Sequence, residues 1–282
     1  MTKQLLVSFP KMFFGTAWKE RETKRLTLQA IEAGFRAIDT ANQRRHYVEA
    51  AVGEAIQSAL QRNLVNRTDL FLQTKFTFQR GQDHRLPYDP AAAITTQVEQ
   101  SFANSLSNLG VNRIDSFLLH GPSTSHGLTD DDWQAWTAIE RLAECDQVAN
   151  IGVSNFSVDQ LAELCNHATR KPSFVQNRCF AVQGWDRDVR QECKNHNIRY
   201  QGFSLLTANY KLLSRPEIAM MAKSYHATVP QLIFRFAFDL GLIPLTGTNS
   251  VEHMRQDLDI DSWELTAEDR NWLESNGKPQ LR

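Results

Sequence analysis

Eight short apolar runs recur along this chain, and a stretch with helical periodicity separates each run from the next. The runs lack strict alternation of apolar and polar residues, which is typical of strands buried on both faces of a parallel sheet. The predicted strands span 12–17, 35–41, 70–76, 114–120, 149–155, 173–180, 198–206 and 241–247. Eight β-α units without a linker-like change in composition predict an α/β fold, one (β/α)8 TIM barrel domain over residues 1–282.

The stretches between the strands carry residues that begin and end helices. Gly34 is expected to end the first helix, since glycine adopts the left-handed backbone of a C-cap. A long amphipathic segment is predicted to begin at Pro90 and to end at Gly110. Ser157 and Ser250 precede apolar stripes, and both are expected to be N-caps.

An open, doubly wound sheet is the alternative fold. It would bind a dinucleotide through a glycine-rich first turn, and the sequence contains no GxGxxG. The barrel is therefore favoured. The opening runs LLVSFP and MFFGTA are predicted to pair as a short N-terminal β-hairpin, with the first run capping the barrel floor.

Charge and composition argue against several classes of partner. The net charge is −1, with no basic run or acidic tail, so neither nucleic acid nor an anionic membrane surface is expected to bind. No stretch has the roughly 18 apolar residues of a membrane span, and the N-terminus does not resemble a signal peptide. The four cysteines form no CxxC pair. We expect reduced thiols in a cytoplasmic protein that is a monomer or weak dimer.

Polar residues capable of proton chemistry end three of the predicted strands. They are Asp39, Lys75 and His120. Because a parallel barrel gathers its strand ends on one face, these side chains can meet there. A buried lysine needs a carboxylate nearby, and Asp39 on a neighbouring strand is the natural candidate. A helix cap or a solvated loop carboxylate is the alternative interpretation of Asp39.

Seven short strings occur in an order shared with one protein family: GTAWK, FRAIDTA, VGEAI, LFLQTKF, IDSFLLH, IGVSNF and VQNRC. The chain resembles the aldo-keto reductase superfamily from about residue 10 to residue 275. The resemblance implies an NAD(P)H-dependent reductase that converts aldehydes or ketones to alcohols.

The resemblance also implies the role of each catalytic residue. Tyr47 would donate a proton to the carbonyl oxygen, and Lys75 would lower the pKa of its phenol from about 10. Asp39 would hold Lys75 charged and in place. His120 would orient the substrate carbonyl by hydrogen bonding.

The tyrosine is displaced from its usual place in the family. A spacing of five residues after the aspartate falls on Arg44, and counting back from Val52 in the other common spacing gives His46. Tyr47 lies one position further on, in HYVEAAVG, which resembles the HYNE-type segment of one branch of the family. We predict Tyr47 as the acid, with His46 as the alternative.

The second half of the chain carries the residues that the resemblance assigns to the cofactor. Ser154, Asn155 and Gln176 would hydrogen-bond the nicotinamide carboxamide, and the ring would stack on Phe203. The backbone of Ser204, Leu205 and Leu206 would approach the pyrophosphate.

The loop after the last strand departs from the pattern of NADPH-preferring relatives. The usual lysine is absent, and His253 replaces an arginine if Asp257 aligns with the usual asparagine. Gly247, Thr248 and Asn249 precede a helix whose N-terminal amides can bind phosphate, and a contact from Arg255 stays open. NADPH is the expected cofactor, with NADH or dual use as the alternative.

Trp18 is expected to line the substrate pocket, as the tryptophan of GTAWK does in relatives. Trp185 could approach the pocket from another loop, or be an aromatic of the core or the surface. The short tail after TAEDRNWLESNG predicts an open and less selective mouth than in relatives with a longer tail. The alternatives to a reductase are a cofactor-binding regulatory barrel and a hydrolase or isomerase barrel. The latter would need a carboxylate pair or a metal cluster, and no spacing of that kind stands out.

Overall fold

The computed structural model describes residues 9–276, in which eight parallel strands close into a barrel in chain order. β1 closes the barrel by pairing with β8, where Phe13 lies opposite Leu245. The strands are β1 (Phe13–Gly15), β2 (Ala37–Asp39), β3 (Phe71–Phe76), β4 (Ile114–Leu119), β5 (Val148–Ser154), β6 (Phe174–Arg178), β7 (Arg199–Phe203) and β8 (Ile243–Thr246). Each strand overlaps one of the predicted runs, and the closed parallel sheet confirms the (β/α)8 TIM barrel.

The helices surround the barrel and cover its outer face. They are α1 (Thr23–Ala33), α2 (Glu49–Gln61), α3 (Ile94–Leu109), α4 (Asp130–Glu144), α5 (Val158–His167), α6 (Arg187–Asn195), α7 (Tyr210–Leu213), α8 (Pro216–Ser224), α9 (Val229–Asp239), α10 (Val251–Leu258) and α11 (Ala267–Asn276). The main hydrophobic core lies between these helices and the strands, and Phe14, Phe117 and Trp136 are fully buried within it. None of the helices within residues 9–276 combines the length and the apolar character needed to cross a bilayer.

Four predicted helix ends are found in the structure. Ser157 Oγ accepts the backbone N–H of Gln160, and Ser250 Oγ accepts that of His253. Gly34 and Gly110 end α1 and α3 at φ +119° and +66°, a region that favours glycine.

The predicted start of α3 at Pro90 is wrong, because the helix begins at Ile94. Asp89 forms a turn instead: its Oδ1 accepts the N–H of Ala91 at 2.9 Å, and its carbonyl accepts that of Ala92 at 3.2 Å. An aspartate side chain competes with helix formation in this way.

The barrel interior is layered because side chains two residues apart on a strand share a face. Phe71 of β3 and Phe174 of β6 meet Phe9 at the floor, where Phe174 makes edge-on contacts with both other rings and Phe9 is tilted against Phe71. Gln73 and Lys75 lie on the same face of β3, successively closer to the mouth. The interior therefore changes from aromatic at the floor to polar at the mouth.

The predicted N-terminal hairpin lies mostly outside the described residues, since the run LLVSFP falls largely within residues 1–8. Its second run forms β1, which pairs in parallel on both sides. All four cysteines are free thiols, as expected from the absence of CxxC pairs.

Candidate active site

A cavity of about 760 Å³ opens at the carboxyl ends of the strands. This is the face on which a parallel barrel collects side chains from different strands. Most of the residues predicted for the site line it: Trp18, Asp39, His46, Tyr47, His120, Ser154, Asn155, Gln176, Phe203, Ser204, Leu205, Leu206, Gly247, Thr248, Asn249, His253 and Asp257.

Lys75 and Asp39 form a buried ion pair at the base of this cavity. Lys75 Nζ lies 2.7 and 2.8 Å from the two carboxylate oxygens, and it donates a third hydrogen bond to Thr40 O at 2.8 Å. The lysine side chain is fully buried. Burial lowers the pKa of Lys75, and the charge of Asp39 opposes that shift. The expected partnership between these residues is therefore present.

Three buried glutamines support Asp39 from inside the barrel. Gln73 and Gln176 each donate to Asp39 Oδ1, at 2.8 and 2.9 Å. Both also donate to Gln201 Oε1, and Gln201 Nε2 returns a bond to Gln73 Oε1 at 3.0 Å. The aspartate thus accepts hydrogen bonds from β3 and β6 as well as from Lys75, which fixes its carboxylate in one orientation.

Tyr47 stands over the Lys75–Asp39 pair. Lys75 Nζ lies 5.5 Å from the centre of the phenol ring, and the ring centres of Tyr47 and His120 are 6.0 Å apart. Burial, followed by the negative charge of Asp39, raises the pKa of Tyr47. This is opposite to the lowering expected from Lys75, because burial of the phenol has the largest effect and the charge of Asp39 adds to it.

The side chain of His46 packs at a different place from that of Tyr47. Its ring stacks on the exposed indole of Trp18 with the ring centres 3.8 Å apart, and its carbonyl accepts the Trp18 N–H at 2.8 Å. Burial and then Arg45 lower the pKa of His46. His46 therefore lies on the rim of the cavity, whereas Tyr47 contacts the buried ion pair.

His120 follows β4 and is fixed through its Nδ1, which lies 2.7 Å from Thr77 Oγ1. Burial, and next the positive charge of Lys75, hold the pKa of His120 well below its usual value. The imidazole is therefore neutral at physiological pH. In the tautomer in which the Thr77 hydroxyl donates to Nδ1, Nε2 carries the proton and His120 is a neutral hydrogen-bond donor.

Amide side chains with spare acceptors lie beside this group. Gln176 Nε2 donates both of its hydrogens inside the barrel network, and Asn155 Nδ2 donates to His120 O at 2.8 Å. Neither Gln176 Oε1 nor Asn155 Oδ1 accepts a hydrogen bond from any described residue, while Ser154 Oγ donates to Gln176 O. A primary carboxamide, which offers two N–H donors, fits such acceptors.

The loop after β7 begins beside Phe203, the aromatic residue predicted to stack on the nicotinamide ring. Phe203 lines the cavity, and the Arg178 guanidinium lies 5.8 Å from its ring centre. Ser204 has φ +56°, which turns the backbone of the next residues along the cavity wall. Arg178 has no counterpart among the sequence predictions.

The loop after β8 contains a lysine contact that sequence reasoning missed. Lys19 Nζ donates to Gly247 O at 2.7 Å and to Asn249 Oδ1 at 3.0 Å. Its side chain is buried, and burial lowers its pKa to about 8. The contacts join positions 228 and 230 residues apart, so no local pattern reveals them.

Asp257 of α10 is buried beneath the same loop. Thr246 Oγ1 donates to its Oδ2 at 2.7 Å, and burial raises the pKa of Asp257 to about 6. His253 lines the cavity from the same helix. Arg255 is exposed and does not belong to the cavity lining.

The two tryptophans considered for the substrate pocket differ. Trp18 is 70% exposed at the rim, whereas Trp185 is fully buried. Trp185 packs on Phe236 and donates to Leu273 O at 3.1 Å, so it belongs to the core. No group of three or more potential metal ligands occurs within residues 9–276.

Glu49 is another buried residue near the site that the sequence did not single out. It accepts hydrogen bonds from Thr74 and, at 3.2 Å, from Asn108, and burial raises its pKa. Gln73, Thr77 and Gln201 were missed as well. Gln73 could have been found from the period of two, since it shares a strand face with Lys75.

The chain is similar to known proteins over nearly its whole length. Residues 11–276 match the model of the Aldo/keto reductase family. The Schizosaccharomyces pombe oxidoreductase P32A8.02 is 30% identical over 93% of this chain and 89% of its own length. The Bacillus subtilis oxidoreductase YtbE is 29% identical over 87% of this chain and 80% of its own.

Solved structures of aldo-keto reductases share the fold of this chain. MGS-M4, an aldo-keto reductase from a Medee basin deep-sea metagenome library, has a TM-score of 0.82 at 26% identity and covers 97% of this chain and 94% of that one. The family match and the shared barrel agree with the order of the seven strings in the sequence. The chain therefore belongs to the aldo/keto reductase family, whose members are oxidoreductases acting on carbonyl groups.

Proposed function

We propose that this protein is an NAD(P)H-dependent reductase that converts an aldehyde or ketone to the alcohol. The observation that carries the proposal is the buried Lys75–Asp39 pair beneath Tyr47 and His120, at the base of a cavity large enough for a ligand. Positioned acids and neutral donors of this kind serve carbonyl chemistry.

The cavity lining fits a nicotinamide dinucleotide. Asn155 and Gln176 would hold the carboxamide through their spare oxygens, and Phe203 would lie against the nicotinamide ring. The residues 204–206 and 247–249 would line the phosphates, with His253 and Asp257 at the adenosine end. When bound, the reduced cofactor supplies the hydride. NADPH is our first choice, and NADH or dual use is the alternative.

His120 would hold the substrate carbonyl. The contact with Thr77 holds the ring, and with the Thr77 hydroxyl donating to Nδ1 the Nε2–H would donate to the carbonyl oxygen. Because the pKa of His120 is well below its usual value, the donor is a neutral imidazole that keeps its proton. Trp18, at the rim, would contact the remainder of the substrate.

Tyr47 would donate the proton that completes the alcohol. Its raised pKa keeps the phenol protonated at physiological pH, so the proton is present when the oxygen becomes basic. The Lys75 ammonium, 5.5 Å from the ring centre, would stabilise the phenolate as it forms. Asp39, held by Gln73 and Gln176, would keep Lys75 charged and oriented.

A cofactor-binding regulatory barrel is the second candidate. It is favoured by one feature: the three hydrogen bonds of Lys75 go to Asp39 and Thr40, and none reaches the Tyr47 hydroxyl. For either candidate we propose a small-molecule ligand and a monomer or weak dimer in the cytoplasm.

Cofactor titration combined with a Tyr47 variant separates the reductase from a regulatory barrel and from a hydrolase or isomerase barrel. NADPH or NADH titrated into the purified protein should change the cofactor fluorescence, and Tyr47→Phe should bind with the wild-type Kd. Its kcat for a simple aldehyde should fall by about a hundredfold or more, because the acid is lost. His46→Ala is the matched variant and should retain most of kcat.

Three results would count against this assignment. If neither cofactor binds, the reductase is wrong. If both bind and the wild type reduces no carbonyl, the regulatory barrel is supported. Full activity of Tyr47→Phe would move the acid to another residue, and loss of activity in His46→Ala would identify it as His46.

A further inference from the structure

Arg178 brings a guanidinium group to the cavity without a polar partner. Its side chain is exposed and belongs to the cavity lining. The nearby Arg187 and Arg190 of α6 both pair with Glu274 at 3.3 Å. By contrast, the guanidinium of Arg178 forms no ion pair or hydrogen bond with any residue between 9 and 276. Its N–H donors are therefore free to bind a ligand.

The register of β6 and β7 gives the place of Arg178 in the barrel. Phe174, Gln176 and Arg178 share one face of β6 because they are two residues apart. Phe174 lies at the floor and Gln176 in the polar layer, where it donates to Asp39. The Cα of Arg178 is about 7 Å further along the strand than that of Gln176, toward the mouth. Phe203 lies opposite Arg178 on β7.

Two aromatic rings accompany the guanidinium of Arg178. Its central carbon lies 5.8 Å from the ring centre of Phe203 and 5.9 Å from that of Phe180. Cation–π contacts of this kind restrict the movement of the long side chain. They leave the N–H donors without a conventional acceptor, so the forked arrangement of donors is kept for a ligand.

The carboxylates that line the cavity have other partners. They are Asp39, which pairs with Lys75, and Asp257, which accepts a hydrogen bond from Thr246. Arg178 is therefore a positive charge in the cavity lining that no carboxylate of the lining compensates. A guanidinium binds a carboxylate with two parallel hydrogen bonds, so a carboxylate is the anion that fits it best.

The place of Arg178 indicates whether this anion belongs to the substrate or to the cofactor. In the proposed function the nicotinamide ring lies against Phe203, and its carboxamide is held by Gln176. Arg178 lies opposite Phe203 and one step above Gln176, so it would lie at the nicotinamide end. The substrate carbonyl has to meet the nicotinamide ring, whereas the phosphates lie beyond the ribose. The anion beside Arg178 would therefore be part of the substrate.

Resting on the proposed function, we propose that Arg178 binds a carboxylate of the substrate. The substrate class would be small aldehydes or ketones that carry a carboxylate a few bonds from the carbonyl. Arg178 would determine specificity through this contact, while Tyr47 and His120 act on the carbonyl itself.

The test compares 4-oxobutanoate with its methyl ester, two aldehydes that differ in the negative charge. The kcat/KM of the wild type should be about tenfold or more higher for the acid, because the acid gains a charge-assisted contact. In Arg178→Met the ratio of the two kcat/KM values should fall to about one. The loss should appear mainly in the KM for the acid, since the contact is present before and during the reaction.

Two further variants test the role of the guanidinium. Arg178→Lys should recover part of the preference for the acid, because the ammonium keeps the charge without the fork. Arg187→Met is the matched control: Arg187 is an exposed arginine outside the cavity lining, and its variant should keep the wild-type ratio. An unchanged ratio in Arg178→Met, or no recovery in Arg178→Lys, would overturn the proposal.

The pH dependence separates Arg178 from the other basic residues of the lining. A guanidinium stays charged, so the preference of the wild type for the acid should persist from about pH 6 to about pH 9. Loss of the preference over this range would assign the anion to His46, His253 or Lys19, which also line the cavity, and would overturn the proposal.

The remaining outcomes distinguish this proposal from the proposed function. If the wild type reduces neither aldehyde, the reductase proposal fails and the substrate assignment fails with it. If the wild type reduces both equally well, the reductase stands and the role of Arg178 is wrong. A raised Kd of Arg178→Met for NADPH or NADH, with equal losses for acid and ester, would assign the guanidinium to a cofactor phosphate and would also overturn the proposal.

Discussion

At the scale of single residues, burial decides the state of the titratable groups around the cavity. Asp257 is an example, because burial shifts the pKa of its carboxyl. Its carboxyl is buried under the β8 loop, with a hydrogen bond from Thr246, and its pKa rises from 3.8 to about 6. A raised pKa means that the folded protein binds a proton more tightly than the unfolded chain does.

Asp257→Asn should therefore change the pH dependence of stability. In the wild type the free energy of unfolding should fall as the pH rises from about 4 to about 6, because the carboxyl ionises in the buried site. The asparagine carries no charge and can still accept the Thr246 bond. It should stabilise the protein at pH 7 by about 2–3 kcal/mol and have little effect near pH 4.

Urea unfolding of wild type and variant at a series of pH values measures this difference. Asp259→Asn is the control, since Asp259 is exposed at the end of α10 and its replacement should have little effect at any pH. A pH-independent difference between wild type and Asp257→Asn would contradict the explanation by burial.

The sequence predicted the residues of the cavity better than their contacts. Asp39, Lys75 and His120 could be predicted because each ends an apolar run, and such runs end at the mouth of a barrel. Lys19 could not be assigned to the β8 loop, since its partners lie 228 and 230 residues away. The direction of the Tyr47 pKa was also missed, because it depends on how deeply the phenol is buried and on the charge of Asp39 beside it.

At the scale of elements, strands were easier to predict than helix starts. An apolar run specifies a buried strand, whereas the start of α3 depends on a turn made by the Asp89 side chain. The close packing of two helices is a further property that the pattern of apolar residues does not predict. α2 and α3 contact each other at Gly53, where an added Cβ would lie 2.0 Å from Asn108 O.

Gly53→Ala should therefore destabilise the protein, although alanine is the better helix former by about 1 kcal/mol. The methyl group would collide with backbone atoms of α3, and the helices would have to separate. We expect a loss of about 1–3 kcal/mol, the usual cost of overpacking. Thermal and urea unfolding would measure it.

Ala50→Gly is the comparison on the same helix. Ala50 is exposed on α2, so this replacement should cost about 1 kcal/mol through helix propensity alone. If Gly53→Ala proved as stable as the wild type, the close approach of α2 and α3 would be wrong.

At the scale of the whole molecule, the polar layer inside the barrel joins strands that are not neighbours. Gln73 of β3 and Gln201 of β7 exchange two hydrogen bonds across the interior, at 2.7 and 3.0 Å. Both are fully buried, and Gln176 of β6 and Asp39 of β2 complete the layer. The layer separates the aromatic floor from the mouth, so it supports the site and the barrel together.

This arrangement predicts strong coupling between Gln73 and Gln201. Gln73→Leu would leave Gln201 Nε2 without its partner, and Gln201→Leu would leave Gln73 Oε1 without its own. Each single variant should lose about 1–3 kcal/mol, the cost of a buried polar group left unpaired. The double variant places two leucines against each other, so its loss should be smaller than the sum of the two single losses.

A double-mutant cycle by urea unfolding measures this coupling, and cofactor titration of the same variants follows its effect on the site. In both single variants Lys75 keeps its bonds to Asp39, so the Kd should change less than the stability does. Additive losses in the cycle would mean that the two glutamines act independently. The polar layer would then be a set of separate hydrogen bonds, and the barrel would not depend on it as a unit.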